Sequence, residues 1–356
     1  MAQQFLFEDL KFFSKKFPEP QYLGAKNKLL PWIGKNIPNR DKLETVVDLF
    51  SGSQSVSYYF KQLGYKVISN DFLNFNNQIG KALIENSSET LDINEIEYLF
   101  HPSKNKEAYS LIEDIYSDLF FTREDAIVID NYRANVQDFD NEFKRALALA
   151  VMNRTLTRKV TMGHFGHTRA LAYASDPVRI KRNRSLIRPV NEIFMDIVSD
   201  YNNAVFDNNK DNISMCMNAL EAIKIIKHAD LIYLDPPYCD SHADYQGFYH
   251  LLETYTEYWK DKKFVNKIKR YDPQKKSGFC NKSEIIQSFE ELFMSMKEIP
   301  YWMISYNDRS YPDIETMISL IGKHKKVVVE QKEYKTCQGG KGSVAGSNEI
   351  LFICFP

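Results

Sequence analysis

A chain of 356 residues with 44% apolar and 26% charged side chains has the size and balance of a globular protein with one catalytic domain and a second lobe. No apolar run approaches the roughly 20 residues of a membrane span, and the first sixteen residues lack a basic start followed by an apolar stretch, so membrane and secreted classes are set aside and a cytoplasmic location is expected. A net charge of −1 excludes a uniformly basic or acidic protein and leaves only segregation of charge along the chain as a signal.

The first readable element is a buried strand over 45–50, followed by Ser51-Gly52-Ser53 as a tight turn into a helix over 54–63 that Gly64 ends. A second strand over 65–69 closes on Asn70-Asp71. Asp71 stands 23 positions after Asp48, near the spacing at which nucleotide-binding α/β units place an acidic residue for a ribose. Alternation of strand and helix then lapses for roughly 130 residues, far beyond an ordinary connection, which predicts an insertion. Its first part, 82–132, is acidic and helical; 141–152 is helical by spacing and leads into a basic stretch over 153–188. Strands resume at 213–216 and 230–234 around a helix over 220–227. A helix over 282–298, a strand over 301–306, a helix over 314–322 and paired strands over 326–334 and 348–355 complete the chain. The glycine-rich segment 339–346 between the last two lacks the Gly-Lys-Ser/Thr run ahead of a helix, so it is expected to connect a hairpin rather than to bind phosphate.

The strand over 230–234 delivers Asp235-Pro236-Pro237-Tyr238 at its tip. Two prolines fix φ and remove two N–H donors, so the turn is stiff and presents acceptors. A carboxylate, a carbonyl at Asp235 or Pro236 and an aromatic face together suit the amino group of a flat heterocycle. Charge segregation points the same way. Residues 151–190 carry nine basic side chains against Asp176 alone, and residues 260–282 carry nine more against Asp261 and Asp272, within an otherwise acidic chain. Aromatic and polar residues, among them His164, Phe165, His167, Tyr173 and Tyr271, are interleaved with them, which is the pattern of a polyanion track. The five cysteines, Cys216, Cys239, Cys280, Cys337 and Cys354, have neither pairing nor zinc-knuckle spacing, and His164 with His167 lacks further ligands, so neither disulfides nor a metal are expected.

Taken in order, these motifs resemble the S-adenosylmethionine-dependent DNA adenine N6-methyltransferases of the Dam-like, or alpha, D12 class. Tyr22-Leu23-Gly24-Ala25-Lys26 matches the family's N-terminal G-[SAG]-K segment, and Asp48-Leu49-Phe50-Ser51-Gly52 matches D-x-F-x-G, with Ser53 following. Asp71 ends the next strand, an inserted recognition region follows, and Asp235 to Tyr238 closes the set. The resemblance implies an α/β fold with a Rossmann-like class I methyltransferase sheet, an antiparallel C-terminal strand and a mainly helical inserted domain. It divides the chain into a catalytic domain over 1–75 and 205–356, a target-recognition domain over 76–204, and a basic, DNA-contacting excursion over 240–282.

The resemblance further implies that Asp235, Pro236, Pro237 and Tyr238 carry catalysis, with Tyr238 stacking on a flipped-out adenine. Tyr22, Gly24, Lys26, Asp48, Phe50, Ser51, Gly52, Ser53, Asp71, Asn218 and Asp235 would hold S-adenosylmethionine and its product S-adenosylhomocysteine: amides around Phe50 to Ser53 at the amino-acid end, Asp71 at the ribose, Tyr22 and Lys26 at the carboxylate. Asn153-Arg154-Thr155-Leu156-Thr157-Arg158 and Gly163-His164-Phe165-Gly166 look like recognition-domain elements of the family, which makes Asn153, Arg154, Arg158, Lys159, His164, Arg169, Arg182, Arg184, Lys269 and Arg270 the expected DNA contacts. The Dam continuation N-V-P-F-G is missing after this match, so a GATC target is not implied. Asn218 stands where members often carry an acidic residue for the cofactor adenine.

Double-stranded DNA is the expected partner, met by a monomer in a bacterial, nucleoid-associated setting, with a cognate restriction endonuclease or as an orphan enzyme. An RNA adenine methyltransferase and a catalytically silent DNA-recognition subunit are the alternative readings. Protein-glutamine and cytosine-N4 enzymes favour Asn or Ser at position 235, and neither Cys239 nor Cys337 follows the proline that a cytosine-C5 nucleophile has before it.

Overall fold

The structure, a computed structural model, describes residues 15–105, 108–160, 163–237, 244–334 and 347–356. Tyr238, Cys239, Cys337, the start of the chain and the glycine-rich segment 339–346 lie outside the described residues.

The described residues form a mixed α/β fold around a seven-stranded sheet of order β3-β2-β1-β4-β7-β9-β8. β1 (Thr45–Asp48), β2 (Lys66–Asp71), β3 (Ile213–Cys216), β4 (Leu231–Leu234) and β7 (Tyr301–Asn307) are parallel. β9 (Ser347–Phe355) inserts antiparallel between β7 and β8 (Lys326–Tyr334). Every residue of β1 and β4 is buried, which is why Thr-Val-Val-Asp and Leu-Ile-Tyr-Leu read as continuous rather than alternating runs. Side chains still alternate between the two faces: Val46, Leu231, Tyr233 and Met303 enter one core, and Val47, Ile232, Leu234 and Ile304 the other.

The helices Ala219–Ile225, Ile285–Ser295 and Ile314–Gly322 cover the second face. The first is covered by Ser55–Gln62 and Asn74–Gly80, with Glu142–Lys159, Val190–Ala204 and His250–Glu257 packed behind them in the same core. Residues of the 76–204 span, such as Leu147, Val151, Phe194 and Ile197, therefore lie in one continuous core with the sheet. The Glu142–Lys159 helix runs seven residues past its expected end at 152, because Leu156 is buried in that same core. A small antiparallel hairpin, β5 (Lys263–Val265) with β6 (Arg270–Asp272), stands within the basic 260–282 stretch, where no strand is expected from the sequence.

Chain direction through the sheet fixes where a ligand can sit. From β1 the chain moves outward to β2 and β3, then returns to β4 on the other flank of β1, so the carboxyl ends of β1 and β4 border the crevice at a topological switch point.

Candidate active site

A cavity of about 600 Å³ opens at that crevice. The turn after β1 forms its floor. Gly52 has φ +47, a left-handed conformation that favours glycine, and a Cβ there would stand 3.1 Å from the Tyr22 ring. The turn is tied to β2 by Ser51, whose N–H and Oγ both donate to the Asn70 carbonyl at 2.9 Å, and by the Gly52 N–H, which donates to Asp71 Oδ2 at 2.8 Å. The other Asp71 oxygen accepts from the Leu73 N–H and from Asn76 Nδ2, so three of its roughly four lone-pair sites are already used by the protein. Burial raises the Asp71 carboxyl.

Asp48 differs from Asp71 in one respect. Its Oδ2 accepts from Ser57 Oγ at 2.6 Å, whereas Oδ1 is buried without a hydrogen-bond partner. Burial, with Asp235 and Asp71 nearby, pushes its carboxyl up to about 7. An oxygen with no donor on the wall of a polar cavity calls for a ligand cation or N–H.

Asp235 borders the same cavity from the tip of β4, with Pro237 beside it. The ammonium of Lys26 lies 3.0 Å from Asp235 Oδ1 and 3.3 Å from Glu349 Oε1, and its side chain is 6% exposed. Burial alone would lower the Lys26 ammonium, but the two carboxylates more than offset it and hold it well above its usual value. Sequence reading expects Lys26 on the carboxylate side of a cofactor; in the structure it pairs with Asp235 and Glu349. Glu349 comes from β9 and is anchored by Ser305 Oγ of β7 at 2.7 Å.

Tyr22, Gly24, Phe50, Ser53 and Asn218 also line the cavity. Asn218 has a second task, since its Oδ1 accepts the Leu220 N–H and caps the following helix. Several lining residues carry no sequence signal. Tyr245, of the short helix Tyr245–Phe248, stacks on Tyr22 at 5.5 Å, and Tyr249 stacks on the same Tyr22 ring at 4.9 Å, with rings 7° from parallel. Lys275 reaches buried Glu253 at 2.8 Å and the Phe72 carbonyl at 2.9 Å, and holds its loop against the cavity.

The expected DNA contacts divide sharply. Asn153 is buried and donates to Thr256 Oγ1; Arg154 donates to the Glu19 carbonyl and Gln21 Oε1; Lys159 is buried against Asp125 and the Arg188 carbonyl. These three side chains are held within the protein, because the helix that carries them packs between Asn74–Gly80 and Val190–Ala204. Arg270 pairs with Asp244 at 2.7 Å. Burial lowers the His164 imidazole to about 4, so it is neutral at physiological pH and offers no cation to a phosphate. Arg158 is half-buried, while Arg169, Arg182, Arg184 and Lys269 are exposed.

The family model for D12 class N6 adenine-specific DNA methyltransferases matches residues 22–320, a span that holds the β1 turn, the β2 tip and the Asp235 turn. Over 350 residues the chain is 32% identical to the type II methyltransferase M2.HphI of Haemophilus parahaemolyticus, covering 95% of this chain and 98% of that protein. It is 23% identical over 347 residues to the type II methyltransferase M.CviAII of Paramecium bursaria Chlorella virus 1, with 94% and 98% covered. Against the modification methylase LlaI of Lactococcus lactis subsp. lactis identity is 27% over 362 residues, with 93% of this chain but 53% of that protein covered. With the matched span, the near-complete overlap and the site geometry in agreement, the chain belongs to the D12 class of N6 adenine-specific DNA methyltransferases.

Proposed function

We propose that this methyltransferase modifies one adenine within a defined duplex sequence, as the modification enzyme of a bacterial cytoplasmic restriction-modification system or as an orphan, and that Asp235 accepts hydrogen bonds from the N6 amino group. The single observation that carries the reading is the placement of Asp235 on the cavity wall at the tip of β4, opposite the Gly52 turn. The names of the relatives, type II methyltransferases and a modification methylase, support the setting.

The family implies S-adenosylmethionine, and the residues present fit it. Asp48 Oδ1 suits the α-ammonium, and the one lone-pair site left on Asp71 suits a ribose hydroxyl. The Asn218 amide and the Phe50 ring are available to the adenine, and Tyr22 closes the wall. When bound, this cofactor supplies an electrophilic methyl group on a sulfonium. The protein's contribution is then to orient the nucleophile. The N6 lone pair is delocalised into the ring, so an acceptor that engages its protons frees it to point at the methyl group. A carboxylate there also faces the positive charge that grows on nitrogen. The target atom lies inside a duplex, so the base must leave the stack, and Tyr238 is assigned the stacking role.

Residues 76–204 are assigned to target recognition, with Arg158, Arg169, Arg182 and Arg184 as reading or phosphate contacts. Lys263, Lys267 and Lys269, exposed on the β5–β6 hairpin, serve phosphate contact. The enzyme acts as a monomer on DNA. Among the described residues no helix is long and apolar enough to cross a membrane.

Substitution Asp235→Ala tests the assignment. Methyl transfer to duplex DNA should fall at least about a thousandfold, in the range of a lost transition-state contact, while cofactor binding by calorimetry changes only a fewfold. Retained transfer would remove Asp235 from the reaction. Expressed in a methylation-free host, the parent enzyme should leave N6-methyladenine at one consensus motif, and a map without a consensus would defeat the sequence-specific reading.

A further inference from the structure

The family assignment leaves unexplained why a second buried carboxylate shares Lys26 with Asp235. An ammonium buried beside Asp235 alone would form a neutral pair, and a neutralised carboxylate is a weak acceptor for an amine whose nitrogen is becoming positive. Glu349 changes that balance. It sits 3.3 Å from the same ammonium, 4% exposed, and its Oε1 also accepts from Ser305 Oγ, so its position is set by two strands, β7 and β9. The buried trio carries one net negative charge. Its attraction is divided between two carboxylates at similar distances, and Asp235 keeps part of its charge for the cavity.

We propose that Glu349 is a positioning residue for methyl transfer, which acts through Lys26 to aim the Asp235 carboxylate into the cavity and to preserve its strength as an acceptor for the adenine amino group. The proposal rests on Asp235 being that acceptor. As N6 gains the methyl group it takes up the positive charge that the sulfur gives up, and one N6 proton must leave. Asp235 accepts that proton and passes it to water, so the carboxylate is restored and the product amine is neutral.

The charged and titratable groups around Asp235 come from several elements: Lys26 from the N-terminal segment, Asp48 from β1 and Tyr233 from β4 act on Asp235 itself, while Glu349 from β9 and Tyr245 from the Tyr245–Phe248 helix act on its partner Lys26. Asp48 is common to every variant compared below, so the shift between variants, not the absolute position of a pH limb, reports on Glu349.

The test measures single-turnover methylation across pH for the parent and Glu349→Gln, with cofactor affinity by calorimetry and thermal stability recorded in parallel. In Glu349→Gln the ammonium loses one carboxylate and bears more strongly on Asp235. The maximal rate should fall about tenfold, the scale of a modest loss of orientation. Cofactor and duplex affinities should stay within about twofold of the parent, and the acid limb of the rate profile should move to lower pH. A merely structural role would lower thermal stability and leave the limb in place, and an unmoved limb or an unchanged rate overturns the proposal. Should Glu349→Gln not fold, Ser305→Ala supplies the milder variant. Loss of its donor leaves Glu349 a stronger partner for Lys26, so the limb should rise in pH, and no movement again overturns the proposal. Asp235→Asn is run alongside: if it keeps the parent rate, the reading of Asp235 itself fails, whereas an inactive Asp235→Asn with an unmoved Glu349→Gln profile refutes Glu349 alone.

Discussion

Asp48 is the residue at which the empty and ligand-bound cavity should differ most. With its carboxyl pushed up to about 7 by burial, the folded protein keeps a proton from about pH 4, where a free aspartate ionises, up to that value. The stability gained from that proton is fully present below the lower limit and is lost as pH rises through 7. Asp48→Asn should flatten this fall in a set of thermal melts between about pH 4 and 8. A cationic ammonium against Oδ1 reverses the preference, because it stabilises the carboxylate. Cofactor binding should therefore release a proton, and affinity should climb by up to about tenfold per pH unit below 7. Calorimetry in two buffers of different ionisation heat counts that proton; zero release at about pH 6 would mean that the ligand does not meet Asp48. At this scale the sequence is informative where function is local: Asp48, Phe50, Gly52 and Asp71 sit within one turn of two adjacent strands, and all line the cavity. Lys26 could be singled out but not given its partners, because they come from β4 and β9, which only the sheet order brings together.

The elements explain how the far wall of the cavity is held. Glu253, on the fully buried part of the His250–Glu257 helix, accepts the N–H groups of Asn74 and Phe75, each at 3.0 Å, at the start of the Asn74–Gly80 helix. It also pairs with Lys275. One carboxylate thus joins the segment after β2, a helix beyond β4 and the loop that carries Lys275 to the cavity. Glu253→Gln keeps the shape but leaves the Lys275 ammonium half-matched and one helix N–H poorly served. Breaking one side of a buried ion pair costs about 3 kcal/mol, which denaturant unfolding should register together with weaker cofactor binding. A cost below about 1 kcal/mol would mean that the pair behaves like a solvated surface bridge. Nothing at position 253 announces this role, since the two N–H groups it accepts lie 178 and 179 residues away. Strands and their order of appearance were far more legible. Leu231–Leu234 and Tyr301–Asn307 are apolar runs bounded by turn residues, and the helix Ile314–Gly322 coincides with its expected span. The hairpin β5–β6 was missed because Lys263–Val265 and Arg270–Asp272 are three-residue strands rich in charge, held by Tyr271 buried beneath them and by the Tyr116 hydroxyl donating to the Lys269 carbonyl.

At the scale of the whole molecule, the span 76–204, read from sequence as an inserted recognition domain, shares one hydrophobic core with a face of the sheet. Charge segregation is visible in the chain because it is a sum over neighbours. Shared burial is not, because Leu147 and Val151 show only that their helix has an apolar side, and not that the core they join also holds Val46, Tyr233 and Met303. The inward turn of Asn153, Arg154 and Lys159 follows from the same packing. A modular recognition domain would be removable, and this one should not be. If residues 76–204 are replaced by a short Gly-Ser linker, the core that includes Val67, Leu231, Tyr233 and Leu351 loses the Glu142–Lys159 and Val190–Ala204 helices and residues 81–85, which pack on β3 and on the Ser55–Gln62 helix, and the apolar side chains they cover meet water. At roughly 1.5 to 3 kcal/mol for each large apolar side chain exposed, the loss from about ten such residues matches or exceeds the 5 to 15 kcal/mol that holds a typical domain folded. The shortened chain should show no cooperative unfolding transition and no binding of S-adenosylmethionine, even though every cavity residue outside the insertion is retained. A shortened chain that melts cooperatively and still binds the cofactor would show that the catalytic sheet closes its own core and that the inserted region is a detachable reader.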